Sequence, residues 1–222
     1  MFHAWRTGSW LLSLTLVSSA FAQSAPPLPA ATQLAILKQV DQHYNHLRSL
    51  RTHYVERYSG MGLSREESGT LLLKKPGRML WQYDHPEGKV FVLDGKYAWF
   101  YTPGDREAQR LSAAKLDDLR TPLRFLLGHT QLAKELQQIT VSPEGGNYQI
   151  TGVPRGLEKR VRSLALQVTP AGSITEMRIS ELDGATTEFD FTDSVENVLT
   201  KPADFIFNPP AGVAVVDALP PV

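Results

Sequence analysis

The sequence predicts a mainly β chain: an antiparallel sheet curled into a partly open barrel with a short helical lid. Three observations carry this. About ten short apolar segments recur at roughly 8–12-residue spacing. Turn pairs such as Pro76-Gly77, Asp94-Gly95 and Asp183-Gly184 separate them. Only two stretches have helical spacing, too little material to cover a ten-stranded sheet densely.

The first helix begins at Gln33. Leu34, Leu37, Val40, Tyr44 and Leu47 form one apolar stripe, and Lys38, Gln42 and Asn45 fall away from it. The period then changes. Residues 53–58 read as a strand, and Gly60-Met61-Gly62 turns the chain. A strand over 68–74 ends at Pro76-Gly77, and the next, over 78–83, alternates Met79, Trp81 and Tyr83 with Arg78, Leu80 and Gln82. Residues 89–93 and 96–101 flank Asp94-Gly95, and Pro103-Gly104-Asp105 leads into 106–111. Pro122 then opens a short helix, Leu123-Arg124-Phe125-Leu126-Leu127, which stops at Gly128. Its apolar positions cover most of its circumference, unlike a surface helix. Strands resume over 136–141, 148–151, 161–169, 173–182 and 186–191, and Phe205-Ile206-Phe207 closes the pattern before Pro209-Pro210.

Several strands are apolar on both faces: Leu71-Leu72-Leu73, Val90-Phe91-Val92-Leu93 and Ala98-Trp99-Phe100-Tyr101. Either both faces are covered, or one lines an apolar cavity. The shortage of covering helix favours the cavity.

The 222 residues carry 23 basic and 23 acidic side chains, six histidines and no cysteine. Balanced charge argues against a nucleic-acid footprint. Zero cysteine removes disulfides, thiol catalysis, iron–sulfur clusters, Cys-based zinc sites and any lipid anchor attached through cysteine. Residues 1–22 read as a secretory signal, with Arg6, the apolar run Trp10 to Val17 and the small-x-small site Ala20-Phe21-Ala22. The run is about half the ~20 residues of a membrane span. Cleavage after Ala22 removes Arg6 and leaves 22 basic against 23 acidic groups. Residues 23–32, with Pro26, Pro27 and Pro29, form a tether; 33–217 form a single domain; 218–222 form a tail.

No nucleophile elbow, phosphate loop or dinucleotide fingerprint is present, so an enzyme is not expected, and no cofactor is implied. His43 and His46 could present two metal ligands from one helix, but they lack a third partner and read as a solvated face; no metal is expected. Glu66-Glu67 and Asp117-Asp118 point different ways on any regular element and make poor acid/base couples.

One family resemblance runs through residues 34–217 in order. Residues 69–81, Gly-Thr-Leu-Leu-Leu-Lys-Lys-Pro-Gly-Arg-Met-Leu-Trp, resemble the G-x-L-x-x-K-R-P-x-x-x-x-W stretch of the periplasmic lipoprotein carrier family LolA. Val92-Leu93-Asp94-Gly95-Lys96 followed by Trp99-Phe100-Tyr101 resembles its V-S-D-G-K-x-x-W-x-Y hairpin. Thr121-Pro122-Leu123 is similar to the start of its lid helix, and residues 205–213 resemble its F-x-F-x-P-P-x-G-V ending.

The resemblance implies an incomplete antiparallel β-barrel, a half-barrel capped by short helices. It implies a soluble periplasmic monomer that takes lipidated proteins from an inner-membrane ABC transporter of the LolCDE kind. The acyl chains would be shielded in an apolar cavity and passed to an outer-membrane receptor of the LolB kind. Cavity and lid candidates are then Leu71, Leu73, Met79, Trp81, Phe91, Trp99, Leu123, Phe125 and Leu126. Lys75 stands where the family usually has an arginine that holds the lid shut; lysine keeps the charge but lacks the planar five-donor fork. Two alternatives stay open: a carrier of another apolar ligand, such as a glycolipid or pigment, and a lipid-sensing regulatory module. A receptor of the LolB kind would need the lipidated cysteine this chain lacks.

Overall fold

A computed structural model describes residues 26–113 and 130–217. Helix α1 (Ala30–His46) leads into β1 (Ser49–Gly60), β2 (Leu63–Lys74), β3 (Arg78–His85), β4 (Val90–Leu93), β5 (Tyr97–Tyr101) and β6 (Glu107–Ser112). After a short helix α2 (Leu132–Glu135) come β7 (Leu136–Glu144), β8 (Asn147–Pro154), β9 (Val161–Val168), β10 (Ile174–Glu181) and β11 (Thr186–Glu196). A 3₁₀ turn (Pro202–Phe205) and β12 (Ala214–Asp217) finish the described chain. The predicted signal, the lid helix over 123–127 and the tail over 218–222 lie outside the described residues.

The strands form one 12-stranded sheet in the order β12-β6-β5-β4-β3-β2-β1-β11-β10-β9-β8-β7. Every neighbouring pair is antiparallel except β12 with β6. The outermost strands do not pair with each other, so the barrel is open. Two meanders, β1 to β6 and β7 to β11, are joined where β1 pairs with β11.

Local chemistry sets the reversals. Gly60 pairs with Leu63 across a two-residue turn, Met61-Gly62, whose φ angles are 52° and 76°. Asp94 accepts the backbone N–H of Lys96 at 2.7 Å and of Tyr97 at 2.7 Å through one carboxylate oxygen, closing the β4–β5 turn. With the indole of Trp99 as a third donor, these bonds outweigh partial burial and hold the Asp94 carboxyl below its usual range.

The hairpin strands β1 and β2 run longer than their apolar patterns. Their outer ends, such as Leu63-Ser64-Arg65-Glu66-Glu67, lack alternation, yet register continues from Gly60↔Leu63 to Ser49↔Lys74. Phe205-Ile206-Phe207 is not a strand. Pro202 starts the 3₁₀ turn, and Phe205 is buried beside β3. The strand at this end is β12, whose four residues carry no periodic signal.

The inner sheet face is covered, and so is part of the outer one. The inner face carries α1 and one contiguous core that includes Leu37, Val40, Tyr44, Leu71, Leu166 and Met177. The outer face of β3 to β5 has a smaller cover from the C-terminal segment. There Val92 and Phe205 are buried, and Phe207 packs 5.8 Å from the rings of both Trp99 and Tyr101. This is why 90–93 and 98–101 are apolar without alternating.

Candidate functional site

Antiparallel register sorts the inner face into rows, because directly opposed residues share a face. One row runs Leu50, Leu73, Met79, Leu93, Ala98, Leu111 across six strands. The next runs Thr52, Leu71, Trp81, Phe91, Phe100. Leu71, Leu73, Met79 and Trp81 are buried, Phe91 is half-buried, and Phe100 is 38% exposed. The wall is thus closed at its centre and opens along β4 and β5, where the Phe91 and Phe100 rings lie 4.8 Å apart.

Trp81 anchors the centre. Its indole N–H points to the Met79 sulfur at 2.8 Å, and its ring meets Tyr54 edge-on at 4.5 Å and Phe189 at 5.7 Å. Phe189 in turn stacks on Phe191.

Helix α1 buries Ile36, Leu37, Val40 and Tyr44 in the same core, with Tyr44 beside Leu50 and Leu71. Leu34 lies off the buried stripe, 46% exposed, and Ile36 takes its place. A void of about 20 Å³ remains among His43, Tyr44, Leu50, Leu71, Met177 and Phe191, room for about one water. A hollow of about 300 Å³ lies between α1 and α2, bordered by Leu34, Leu37, Asn45, Thr130 and Lys134.

Polar bonds hold the cover in place. The Lys75 ammonium donates to the Tyr44 carbonyl at 2.7 Å, and Lys75 N–H donates to Arg48 O at 2.8 Å. A cation belongs there, since the last carbonyls of a helix carry partial negative charge. Burial lowers the Lys75 ammonium pKa. The Tyr44 hydroxyl accepts Ile174 N–H at 3.1 Å, and burial pushes it up to about 12. The Asp41 carboxylate receives Leu132 N–H at 2.9 Å, and Asn45 exchanges two bonds with Thr130. These tie α2 to α1.

A polar cluster lies on the same face nearer the β1–β2 tip. Glu56 and Glu67 are directly opposed. Glu67 is buried and paired with Lys89 and Arg65, while the Lys89 ammonium sits 4.3 Å from the Tyr83 ring centre. Burial, then the Glu67 charge, raises the Glu56 carboxyl. The Tyr54 hydroxyl is buried there, and its ring meets Tyr83 edge-on at 5.6 Å.

The sequence candidates divide accordingly. Leu71, Leu73, Met79, Trp81 and Phe91 meet on the inner face, and Lys75 binds α1 beside them. Trp99 does not join them. It pairs with Val92 and Arg110 on the outer face, where its indole N–H donates to Asp94 at 2.9 Å and its ring meets Phe207. A period-2 strand sends neighbours to opposite faces, so Ala98 and Phe100 face inward instead. Leu123, Phe125 and Leu126 lie outside the described residues. The solvated reading holds for His46, which is exposed; His43 turns inward, 3.3 Å from Glu196 and edge-on to Tyr44. Among the described residues no three His, Cys, Asp or Glu side chains are grouped to hold a metal. Phe100, Phe189 and Phe191 add to the inner face, and of these only the two-residue spacing of Phe189 and Phe191 marks one face in the sequence.

Comparison with known proteins bears on this site. The family profile described as "Outer membrane lipoprotein carrier protein LolA" matches residues 55–208. An outer-membrane lipoprotein carrier protein of Salmonella typhi is 28% identical over 207 residues, covering 93% of this chain and 94% of that protein. Its counterpart in Nitrosomonas europaea is 23% identical over 193 residues, covering 85% and 92%. An uncharacterised conserved protein of Thermus thermophilus shares the fold with TM-score 0.51 at 13% identity, covering 84% of this chain and 99% of that one.

Proposed function

This chain belongs to the LolA family of outer membrane lipoprotein carrier proteins, and from that premise we propose that it carries lipoproteins through the periplasm with their acyl chains against the inner face. The inner-membrane ABC transporter would load it, and an outer-membrane receptor would relieve it. The observation that carries the reading is the apolar row Leu71, Trp81, Phe91, Phe100, bordered at its Leu71 end by α1 and open at its β5 end.

Acyl chains enter where α1 now lies. Displacing α1 uncovers Ile36, Leu37, Val40 and Tyr44, at a cost of about 1.5–3 kcal/mol per side chain, or roughly 6–12 kcal/mol together. A 16-carbon chain returns at most about 13 kcal/mol by the per-methylene value. One chain therefore about breaks even, and the second and third supply the net affinity. Near-balance suits a carrier, because the cargo must leave. Lys75 sets part of the opening cost through its bond to Tyr44. This is binding and transfer, with no bond made or broken.

The test is release. Inner-membrane vesicles bearing a lipoprotein and the transporter are incubated with the protein and ATP, and the supernatant is examined for a one-to-one complex. Its formation is expected; absence of lipoprotein from the supernatant overturns the reading. Phe100→Glu places a charge on the exposed end of the row without touching the buried core, and loading should fall about tenfold or more at unchanged thermal stability.

A further inference from the structure

Three chain reversals lie side by side at the end of the sheet away from the Lys75–Tyr44 bond. The β1–β2 hairpin abuts the β10–β11 turn: Ser59 pairs with Thr186, and a Cβ on Gly60 would fall 2.6 Å from that of Ala185. The β8–β9 loop joins them, since Leu182 N–H donates to Arg160 O at 2.9 Å and the Arg162 guanidinium donates to Leu182 O at 3.3 Å. Three large apolar side chains project from this end: Met61 is 86% exposed, Leu63 69% and Leu182 50%.

Met61 is doubly out of place for folding. It stands at φ 52° in a two-residue turn, the left-handed region where asparagine before glycine is preferred. A methionine forgoes that turn stability and spends an apolar side chain on water. The fold supplies no reason for it, and this is the pattern of a residue kept for contact.

Cations stand on the same reversals. Arg155, Lys159 and Arg162 are exposed there, against Glu158 and Asp183, while Arg65 and Arg160 are paired with Glu67 and Glu181. Separate apolar side chains on protruding turns, with the exposed Arg155, Lys159 and Arg162 on a neighbouring reversal, match a deformable anionic surface: the apolar tips enter the headgroup boundary and the cations meet lipid phosphates.

We propose that this tip docks on the surface of an anionic phospholipid bilayer through Met61, Leu63 and Leu182. Docking would be reversible, since three partly inserted side chains give modest affinity. It needs neither cargo nor transporter, so it stands or falls apart from the carrier reading.

Flotation of the protein with protein-free vesicles tests this. Binding to phosphatidylglycerol–phosphatidylethanolamine vesicles, weakened by added salt, is expected. The double variant Met61→Asn, Leu63→Ser should lower partitioning about tenfold or more, with melting temperature unchanged or raised. Leu182→Ser, on the neighbouring turn, should lower it independently. The proposal is overturned if the double variant binds like the parent, if phosphatidylcholine vesicles bind equally well, or if binding occurs only to vesicles that carry membrane proteins.

Discussion

Lys75 reaches the Tyr44 carbonyl with one ammonium, where a guanidinium could offer a planar fork of donors. Its environment is half-buried, so the bond is worth more than a surface contact and less than a fully desolvated one. Lys75→Ala should lower unfolding stability by about 1 kcal/mol, and Lys75→Arg should keep or exceed the parent value. Urea midpoints decide this, and equal midpoints for Lys75→Ala and the parent would remove Lys75 from the closing contacts. The residue was legible only through the resemblance, which sets Lys75 where the family usually has an arginine. Its partner was not, because a backbone carbonyl has no side-chain signature.

The turn between β9 and β10 holds α1 from the other side. Gly172 has φ +87°, and a Cβ there would lie 2.7 Å from the Gln39 carbonyl oxygen in α1. Gly172→Ala therefore meets both a strained backbone and a rigid obstacle. It should cost about 1–3 kcal/mol and lower the melting temperature by several degrees. Gly145→Ala, at φ +56° in open space, provides the comparison and should cost clearly less. Similar losses for both would mean that the turn does not bear on α1. Pro170-Ala171-Gly172 was readable as a turn, but the closeness of the helix was not, since 130 residues separate Tyr44 from Ile174.

The whole molecule is an open sheet whose inner wall is stored under its own helix. If filling and closing compete for the same rows, the number of acyl chains decides the outcome. A one-chain lipopeptide should leave amide exchange over residues 30–46 nearly as slow as in the free protein, while a two- or three-chain lipopeptide should speed it. Hydrogen-exchange mass spectrometry reads this directly. Faster exchange with one chain, or none with three, would contradict a displacement of α1. The C-terminal segment should stay protected throughout, because Phe205 and Phe207 pack on the opposite face.

The sequence by itself determined the class of fold and most of the inner wall. Hairpin turns and period-2 spacing are local, and Met79, Trp81 and Tyr83 share a face whatever lies above them. It also placed the apolar doublets of β4 and β5 without saying what covers each side. Only tertiary structure decided that, because a two-sided apolar strand is compatible with a ligand, a helix or a returning terminus. It set Trp99 under Phe207, turned His43 toward Glu196, and brought the Met61 and Leu182 turns together at one end of the sheet. Each depends on contacts between residues distant in sequence, which pairing register fixes and local pattern does not record.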